Sequence, residues 1–416
     1  MSALLCRSCS GADVEVFLSL GDLPLVDQLV APDEDPADAA RYPLDIAFCA
    51  DCTLVQVAQV VDADIVFAED YPYFSSFSED LLAHSREHTD QLVQQRGLGP
   101  TSFVVEVACN DGYLLKGLKD RGVPTLGIDP APGPVGAARA LGLDVVQGFF
   151  GRDTARAVVA ARGHADVVVA NNVMAHVPDL NGFVAGLSEL VADDGVVTVE
   201  NPWVLELLAR RAFDTIYHEH VCYFSCTAVQ HLAARHGLVL VHVEHFPDLH
   251  GGTLRWHLAK TGEPSAEVAH ALSRELASGV TQRGAYTGFE AAVRELCAEL
   301  RELLQGLRAG GARLAAYGAA AKGATLLNVS GLGTDLLDFV VDRNPVKQGM
   351  RMPGSGLPIL PVEALLEQQP DYVLVLAWNI ADEVVRQQQA YLDAGGQFVL
   401  PVPVPVVLAR SGAVSA

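Results

Sequence analysis

The sequence reads as an α/β protein built on two doubly wound sheets, with a small cysteine-held module in front of them. Three observations carry that reading. Buried-strand runs alternate with helical stretches from Phe103 to Val173, a similar alternation returns from Arg313 to Leu400, and two Cys-x-x-Cys knuckles stand near the amino terminus. Strand–helix alternation at this spacing builds a parallel sheet with ligands at the carboxyl ends of its strands. At 416 residues the chain is too long for one ordinary core. The expected divisions are 1–65, 66–260 and 261–416.

Composition narrows the partners. Half of the residues are hydrophobic, yet the longest apolar runs, such as Val167–Ala170, are strand-length and far short of a membrane span. The opening Met1–Leu5 run reaches Cys6 and Arg7 at once, unlike a secretion signal, so a cytoplasmic location and no membrane contact are expected. A formal charge of −23 argues against nucleic acid, because phosphate backbones repel such a field. A monomer is expected, with any phosphate-bearing ligand met by local donors.

Cys6-Arg7-Ser8-Cys9 and Cys49-Ala50-Asp51-Cys52 are the two knuckles, with residues 10–48 between them. Disulfides are disfavoured in a reducing compartment. Four thiolates from two knuckles make a closed tetrahedral Zn²⁺ site, so Cys6, Cys9, Cys49 and Cys52 are the expected structural metal ligands; a redox-active pair is the rival. The metal would hold together a module too small to bury much core. Next, Tyr71-Pro72-Tyr73-Phe74-Ser75-Ser76 reads either as a helix entry or as phenols and hydroxyls presented to a ligand.

The first βα turn decides the ligand of the central domain. Phe103–Ala108 is a buried strand running into Cys109-Asn110-Asp111-Gly112, without the three-glycine dinucleotide fingerprint. Glu106, Ala108, Asn110 and Gly112 instead resemble the first motif of class I S-adenosylmethionine methyltransferases, although that motif normally has glycine where Ala108 stands. The cofactor has no pyrophosphate to cradle, so small residues and polar backbone suffice. Asp129, followed by Pro130 at the end of the second strand, can accept both ribose hydroxyls. Phe149 can lie against adenine, and Asn171 closes the fourth strand. A nicotinamide site is the alternative.

The stretch Tyr217 to Ser225 concentrates two imidazoles, a carboxylate and two phenols, which is poor material for a core. Phe213, Ile216, Val221 and Phe224 give it apolar footing. Histidine exchanges protons near neutrality, and a neighbouring carboxylate can hold its tautomer.

Taken in order, the cysteine knuckles, NDGYLL (110–115), GIDPA (127–131), AHVPD (175–179), YHEHVCYFS (217–225), HGGTLR (250–255), YGAAAKGATLLN (317–328) and LAWN (376–379) span nearly the whole chain. The sequence resembles the nucleotide-sugar C-methyltransferases of deoxysugar biosynthesis, the group with the tetronitrose, mycarose and noviose enzymes. The resemblance implies an amino-terminal zinc-binding module, a class I S-adenosylmethionine-dependent Rossmann-like domain and a second Rossmann-like α/β domain. It also implies methylation of the carbon next to the keto group of a dTDP-linked 6-deoxysugar, with C-3 of a 4-keto sugar expected. A base must then remove a carbon-bound proton while donors hold the enolate oxygen. By resemblance His220 is that base, Glu219 orients base or sugar, and Tyr217, His176 and Tyr71 line the pocket. Tyr73, Ser75, Asn201, Tyr223, Arg255 and Lys322 are the expected substrate contacts. His218 reads better as a structural histidine, and Cys222 as a nucleophile is the remaining rival.

From about Glu263 the chain turns helical, with a long helix expected over Ala285–Gly306. In Gly318–Gly323 a helix amino terminus beside Lys322 suits a pyrophosphate, or else is kept for architecture. The tail after Pro401 reads as extended, then frayed. An O-methyltransferase, or an epimerase using the same enolate, is the alternative function.

Overall fold

The computed structural model describes residues 4–66, 74–249 and 251–408. The amino-terminal module is an antiparallel ribbon. Strand β1 (Val14–Pro24) pairs with β2 (Arg41–Cys49), and β2 pairs with the short β3 (Val55–Val57). Leu18, Leu44, Ile46, Phe48 and Leu54 are buried, a core of the small size expected for a metal-held module. The Pro/Asp-rich tract between β1 and β2 contains one turn of 3₁₀ helix, Pro36–Asp38, with the Asp35 side chain accepting from the Ala37 N–H.

The central domain is a seven-stranded sheet. Its members are β4 (Val104–Val107), β5 (Thr125–Asp129), β6 (Val145–Gln147), β7 (Ala165–Asn171), β8 (Val191–Pro202), β10 (Val239–Phe246) and β11 (Thr253–Ala259), and the spatial order is β10-β11-β8-β7-β4-β5-β6. Neighbouring strands run parallel except at β11, which is antiparallel to both β8 and β10. The middle strands β4 and β7 are almost wholly buried, as both faces of a helix-covered parallel sheet must be. Helix Glu79–Arg96 starts where the Ser78 hydroxyl caps the Leu81 N–H and stops at Gly97, whose φ of 62° suits the left-handed cap.

Strand β9 (Cys222–Tyr223) lies outside the central sheet. It pairs antiparallel with β3, so the four-stranded amino-terminal sheet includes a piece of the central domain.

Two helices, Ala266–Ser278 and Phe289–Ala309, lead into the third sheet. The second helix begins later than expected because Arg283–Tyr286 forms a 3₁₀ turn and Gly288 adopts φ 83°. The sheet contains β12 (Leu314–Tyr317), β13 (Val340–Val341), β14 (Ile359–Leu360), β15 (Tyr372–Val375), β16 (Gln397–Leu400) and β17 (Val406–Val407), in the order β14-β13-β12-β15-β16-β17. Its pairings are parallel except β16–β17. The tail thus does more than extend: Val406 and Val407 satisfy backbone groups along the edge of β16 before the described residues end at 408. Among the described residues no helix is long and apolar enough to cross a membrane.

The carboxyl-terminal domain holds the segment that leads to β9. The Thr325 hydroxyl donates to the Ile216 carbonyl at 3.2 Å, and the Trp378 indole N–H donates to Asp214 at 2.5 Å.

Candidate active site

The sulfur atoms of Cys6, Cys9, Cys49 and Cys52 all lie within 4.8 Å of one another. Cys6 and Cys52 approach to 3.4 Å, and Cys9 and Cys49 to 3.6 Å. Four sulfurs about 2.3 Å from one zinc stand roughly 3.8 Å apart, so the cluster fits a tetrahedral ion. The two knuckles meet because β1 and β2 fold back in a hairpin, with Val14 paired to Cys49.

The cofactor candidates gather at the carboxyl ends of β4, β5 and β7. Asp129 is buried, one oxygen accepting from the Asn110 N–H at 2.9 Å and the other from the Ala131 N–H at 2.8 Å. Burial raises its pKa, against the pull of those two donors. Glu106 is buried on β4 with one carboxylate oxygen unpaired; desolvation and the nearby Asp129 and Asp111 carboxyls push its pKa well up. The turn is strained as well as tight. Ala108 has φ 58° and Asn110 φ 49°, both left-handed, so the methyl group in the usual glycine position is accommodated at a cost. Gly112 has φ 80°, and a Cβ there would stand 2.1 Å from Leu143 Cδ1. Pro130 is half-buried beside Asp129, and Phe149 presents a ring 56% exposed beyond β6. The buried Oδ1 of Asn171 has no hydrogen-bond partner among the described residues. A solvent-exposed aromatic ring and unsatisfied polar atoms around one strand-end cleft fit an adenosyl amino acid.

Ser75 is brought to this turn, its N–H donating to Asn110 Oδ1 at 2.9 Å, while Ser76 N–H donates to Asp111. Tyr71, Tyr73 and His250 lie outside the described residues.

Across the cleft, His220 is held at both nitrogens. Nδ1 lies 2.7 Å from the Thr215 carbonyl, which can only accept, so Nδ1 carries the proton. Nε2 is then the lone pair, and the Tyr217 hydroxyl donates to it at 2.7 Å. The two rings also stack at 3.9 Å. His176 meets His220 edge to face, 4.7 Å between centroids, and burial lowers its pKa to about 4. It is a neutral neighbour near pH 7 rather than a strong base. His220 also borders a cavity of about 10 Å³, lined with Ala175, Asn201, Thr215 and Tyr223 among others.

Other expected residues have different company. Glu219 turns its carboxyl toward Asp27 of the amino-terminal module; burial, then the Asp27 charge, raises its pKa, so it stays protonated further toward neutrality than an ordinary carboxyl. His220 is oriented by Thr215 and Tyr217. His218 is structural, with its Nε2–H donating to the Tyr42 carbonyl at 3.0 Å. Burial pushes the Cys222 thiol up to about 12, which removes its nucleophilic form near neutrality.

Arg255 corrects the sequence reading. It is 1% exposed and sits between Glu200 at 2.6 Å and Glu244 at 3.2 Å, with Gln91 and His84 taking further donors. The reason is register: β11 lies between β8 and β10, which sets Arg255 opposite both acids. A buried guanidinium needs such partners and has no donor left for a sugar. Burial opposes the Glu200 charge, but His84, Arg255 and His88 outweigh it and hold Glu200 near 2. Lys322 is half-buried, with its ammonium 5.1 Å from the centre of the Trp378 ring; burial lowers its pKa against the pull of the Asp214 charge. Asp214, His84 and Glu200 escaped the sequence reading. Only the i,i+4 spacing of His84 and His88 on a helical pattern hinted at this cluster.

Residues 82–243 match the methyltransferase domain family, 248–403 the C-methyltransferase C-terminal domain family, and 6–67 the zinc binding domain family. A structure of magnesium protoporphyrin IX methyltransferase from Synechocystis PCC 6803 with bound SAM is 12% identical, covering 43% of this chain and 79% of that one, with a TM-score of 0.34. The ubiquinone biosynthesis O-methyltransferase of Azorhizobium caulinodans is 30% identical over 97 residues, 23% of this chain and 38% of its own length. The fold, the cysteine cluster and the three family matches define an S-adenosylmethionine-dependent C-methyltransferase with a zinc-binding module. The C-methyltransferase NovU of Streptomyces niveus is 34% identical over 406 residues, 97% of this chain and 96% of its own. The chain belongs to the NovU family of C-methyltransferases.

Proposed function

We propose that this enzyme methylates the carbon next to the keto group of a dTDP-linked 6-deoxysugar, C-3 of a 4-keto sugar, through an enolate formed at His220. The carrying observation is the tautomer of His220: Thr215 fixes the proton on Nδ1 and leaves the Nε2 lone pair at the cleft. Carbon becomes a nucleophile only after such a base takes its proton. His176 is too weakly basic for that work, and Tyr217 is the donor that a sugar carbon must displace or work through. When bound, S-adenosylmethionine supplies a methyl group on a positively charged sulfur. Asp129 holds its ribose and Phe149 its adenine, while Ser75, hydrogen-bonded to Asn110, stands beside the sugar. The dTDP-sugar assignment is supported by the motifs shared with deoxysugar enzymes and by full-length similarity to NovU.

The test is mass spectrometry of the enzyme with S-adenosylmethionine and a panel of dTDP-3-keto and dTDP-4-keto-6-deoxysugars. A gain of one methyl, with loss of the hydrogen from the carbon that receives it, supports C-transfer. A gain of one methyl with every carbon-bound hydrogen retained means O-transfer, and exchange without methyl gain means an epimerase.

A further inference from the structure

The cavity beside His220 is small and walled largely by carbon, from Ala175, Pro202 and Phe224, yet two buried polar side chains line it without a hydrogen bond. Asn201 is 1% exposed, and neither its Nδ2 nor its Oδ1 has a hydrogen-bond partner among the described residues. Tyr223 is 6% exposed with its hydroxyl unpaired; burial, against the nearby Tyr217 N–H, pushes the phenol well above its usual range, so it keeps its proton. Native proteins rarely bury an amide and a phenol unsatisfied. A cavity of about 10 Å³ has room for one oxygen atom.

The geometry points to an oxyanion hole: we propose that the Asn201 amide N–H and the Tyr223 hydroxyl receive the keto oxygen of the substrate and stabilise it as the enolate. This rests on the enolate reading above and assigns where its charge goes. The step balances. The C–H bond next to the ketone breaks and its proton goes to His220 Nε2; the electron pair left behind forms the C=C bond, and the carbonyl π pair moves onto oxygen. Negative charge appears only on that oxygen, and the two donors are worth most there because they stand in a dry site before the reaction begins. Both come from rigid elements: Asn201 from β8, paired to Leu254 of β11, and Tyr223 from β9, paired to Val55.

The experiment uses the whole enzyme with S-adenosylhomocysteine and the dTDP-linked 4-keto-6-deoxysugar that it methylates. Exchange of the α-proton with deuterated water is followed by mass spectrometry, and sugar-nucleotide affinity by calorimetry. Asn201→Leu and Tyr223→Phe are each expected to slow exchange by about 10²-fold or more, with affinity changed less than about threefold. Tyr223→Phe removes one unbonded oxygen, so it tests the idea even where Asn201→Leu fails to fold. Exchange within about threefold of wild type in the folded variants overturns the hole and leaves the enolate reading standing. So does affinity falling in parallel with exchange, which makes these groups ground-state contacts. If wild type exchanges no proton on any keto sugar of the panel, both readings fall.

Discussion

Tyr223 pairs with Val55 across the antiparallel seam that joins the zinc-binding module to the catalytic loop. Gln56 pairs with Cys222 on the same seam, the Val57 N–H donates to the Val221 carbonyl at 3.0 Å, and the Thr53 and Ser225 hydroxyls lie 3.2 Å apart. The segment Cys52–Val57 therefore runs directly from the metal cluster to the wall of the pocket. Whatever holds the four thiols together also holds Tyr223 in place.

Zinc should then matter to chemistry as well as to folding. One Zn²⁺ per chain is expected, and chelation should remove on the order of 10 kcal/mol of the module's own folding free energy. Methyl transfer should be lost together with the protection of the Val57 and Tyr223 amides from hydrogen exchange. Metal analysis that finds no zinc rules out the site. Chelation that lowers the melting temperature but leaves those amides protected breaks the link to the pocket.

Asp129→Ala should weaken S-adenosylmethionine binding without unfolding the protein. Its carboxyl can take both ribose hydroxyls while it accepts the Asn110 and Ala131 N–H groups. Losing a charged acceptor costs about 1.5–3 kcal/mol, or about 10–150-fold in affinity. Calorimetry with unchanged affinity would put the ribose elsewhere.

The left-handed Ala108 makes a prediction of opposite sign. Ala108→Gly relieves a strain of about 1–2 kcal/mol and gives back about 0.5–1 kcal/mol in chain entropy. A net gain of about 0.5–1 kcal/mol is expected, read by denaturant unfolding, with cofactor affinity unchanged. A destabilised variant would mean that the methyl group earns its place by packing.

Much of this was legible in the sequence, for local reasons. β4, β5 and β7 announce themselves as apolar runs ending in Cys109, Asp129 and Asn171, and the knuckles fix the metal ligands by spacing. The failures were matters of register and long-range pairing. Nothing near Arg255 in sequence says that Glu200 and Glu244 flank it, because those contacts exist only once β11 inserts between β8 and β10. Likewise Asp214 lies far in sequence from the Trp378 that donates to it and from the Lys322 whose charge reaches it. The joining of β9 to β3 was equally invisible, since a two-residue strand carries no periodicity.

His88 gives a pH test. It is 1% exposed and makes no hydrogen bond among the described residues, with Nδ1 3.8 Å from Glu200; burial first, then the Arg255 charge, outweighs that carboxylate and lowers its pKa to about 3. Below about pH 6.5 the unfolded chain takes a proton that the folded chain refuses, so stability falls as pH drops from about 6.5 toward 3. Above that window the group contributes no slope. His88→Leu should show a shallower acid loss than wild type, by up to about 1.4 kcal/mol per pH unit, with the slopes converging above pH 7. Parallel unfolding curves from pH 4 to pH 8 would show that His88 titrates normally.

His220→Asn should abolish methyl transfer while both ligands still bind. An amide keeps the hydrogen bond to the Thr215 carbonyl but cannot accept a proton from carbon, and general-base help is worth about 10²–10⁴ in rate. The upper end is expected because the sugar proton is weakly acidic. Glu219→Gln should cost less than about tenfold, since a side chain that burial keeps protonated is imitated by a neutral amide. Tyr217→Phe separates two routes for the proton. Removing the hydroxyl clears Nε2 for direct attack, so a loss under about tenfold is expected if His220 takes the proton itself. A loss near that of His220→Asn would make Tyr217 an obligate relay between carbon and imidazole. The readout is α-proton exchange with S-adenosylhomocysteine bound, which isolates deprotonation from methyl transfer. If His220→Asn exchanges as fast as wild type, His220 is not the base, and Tyr71 is the next residue to replace.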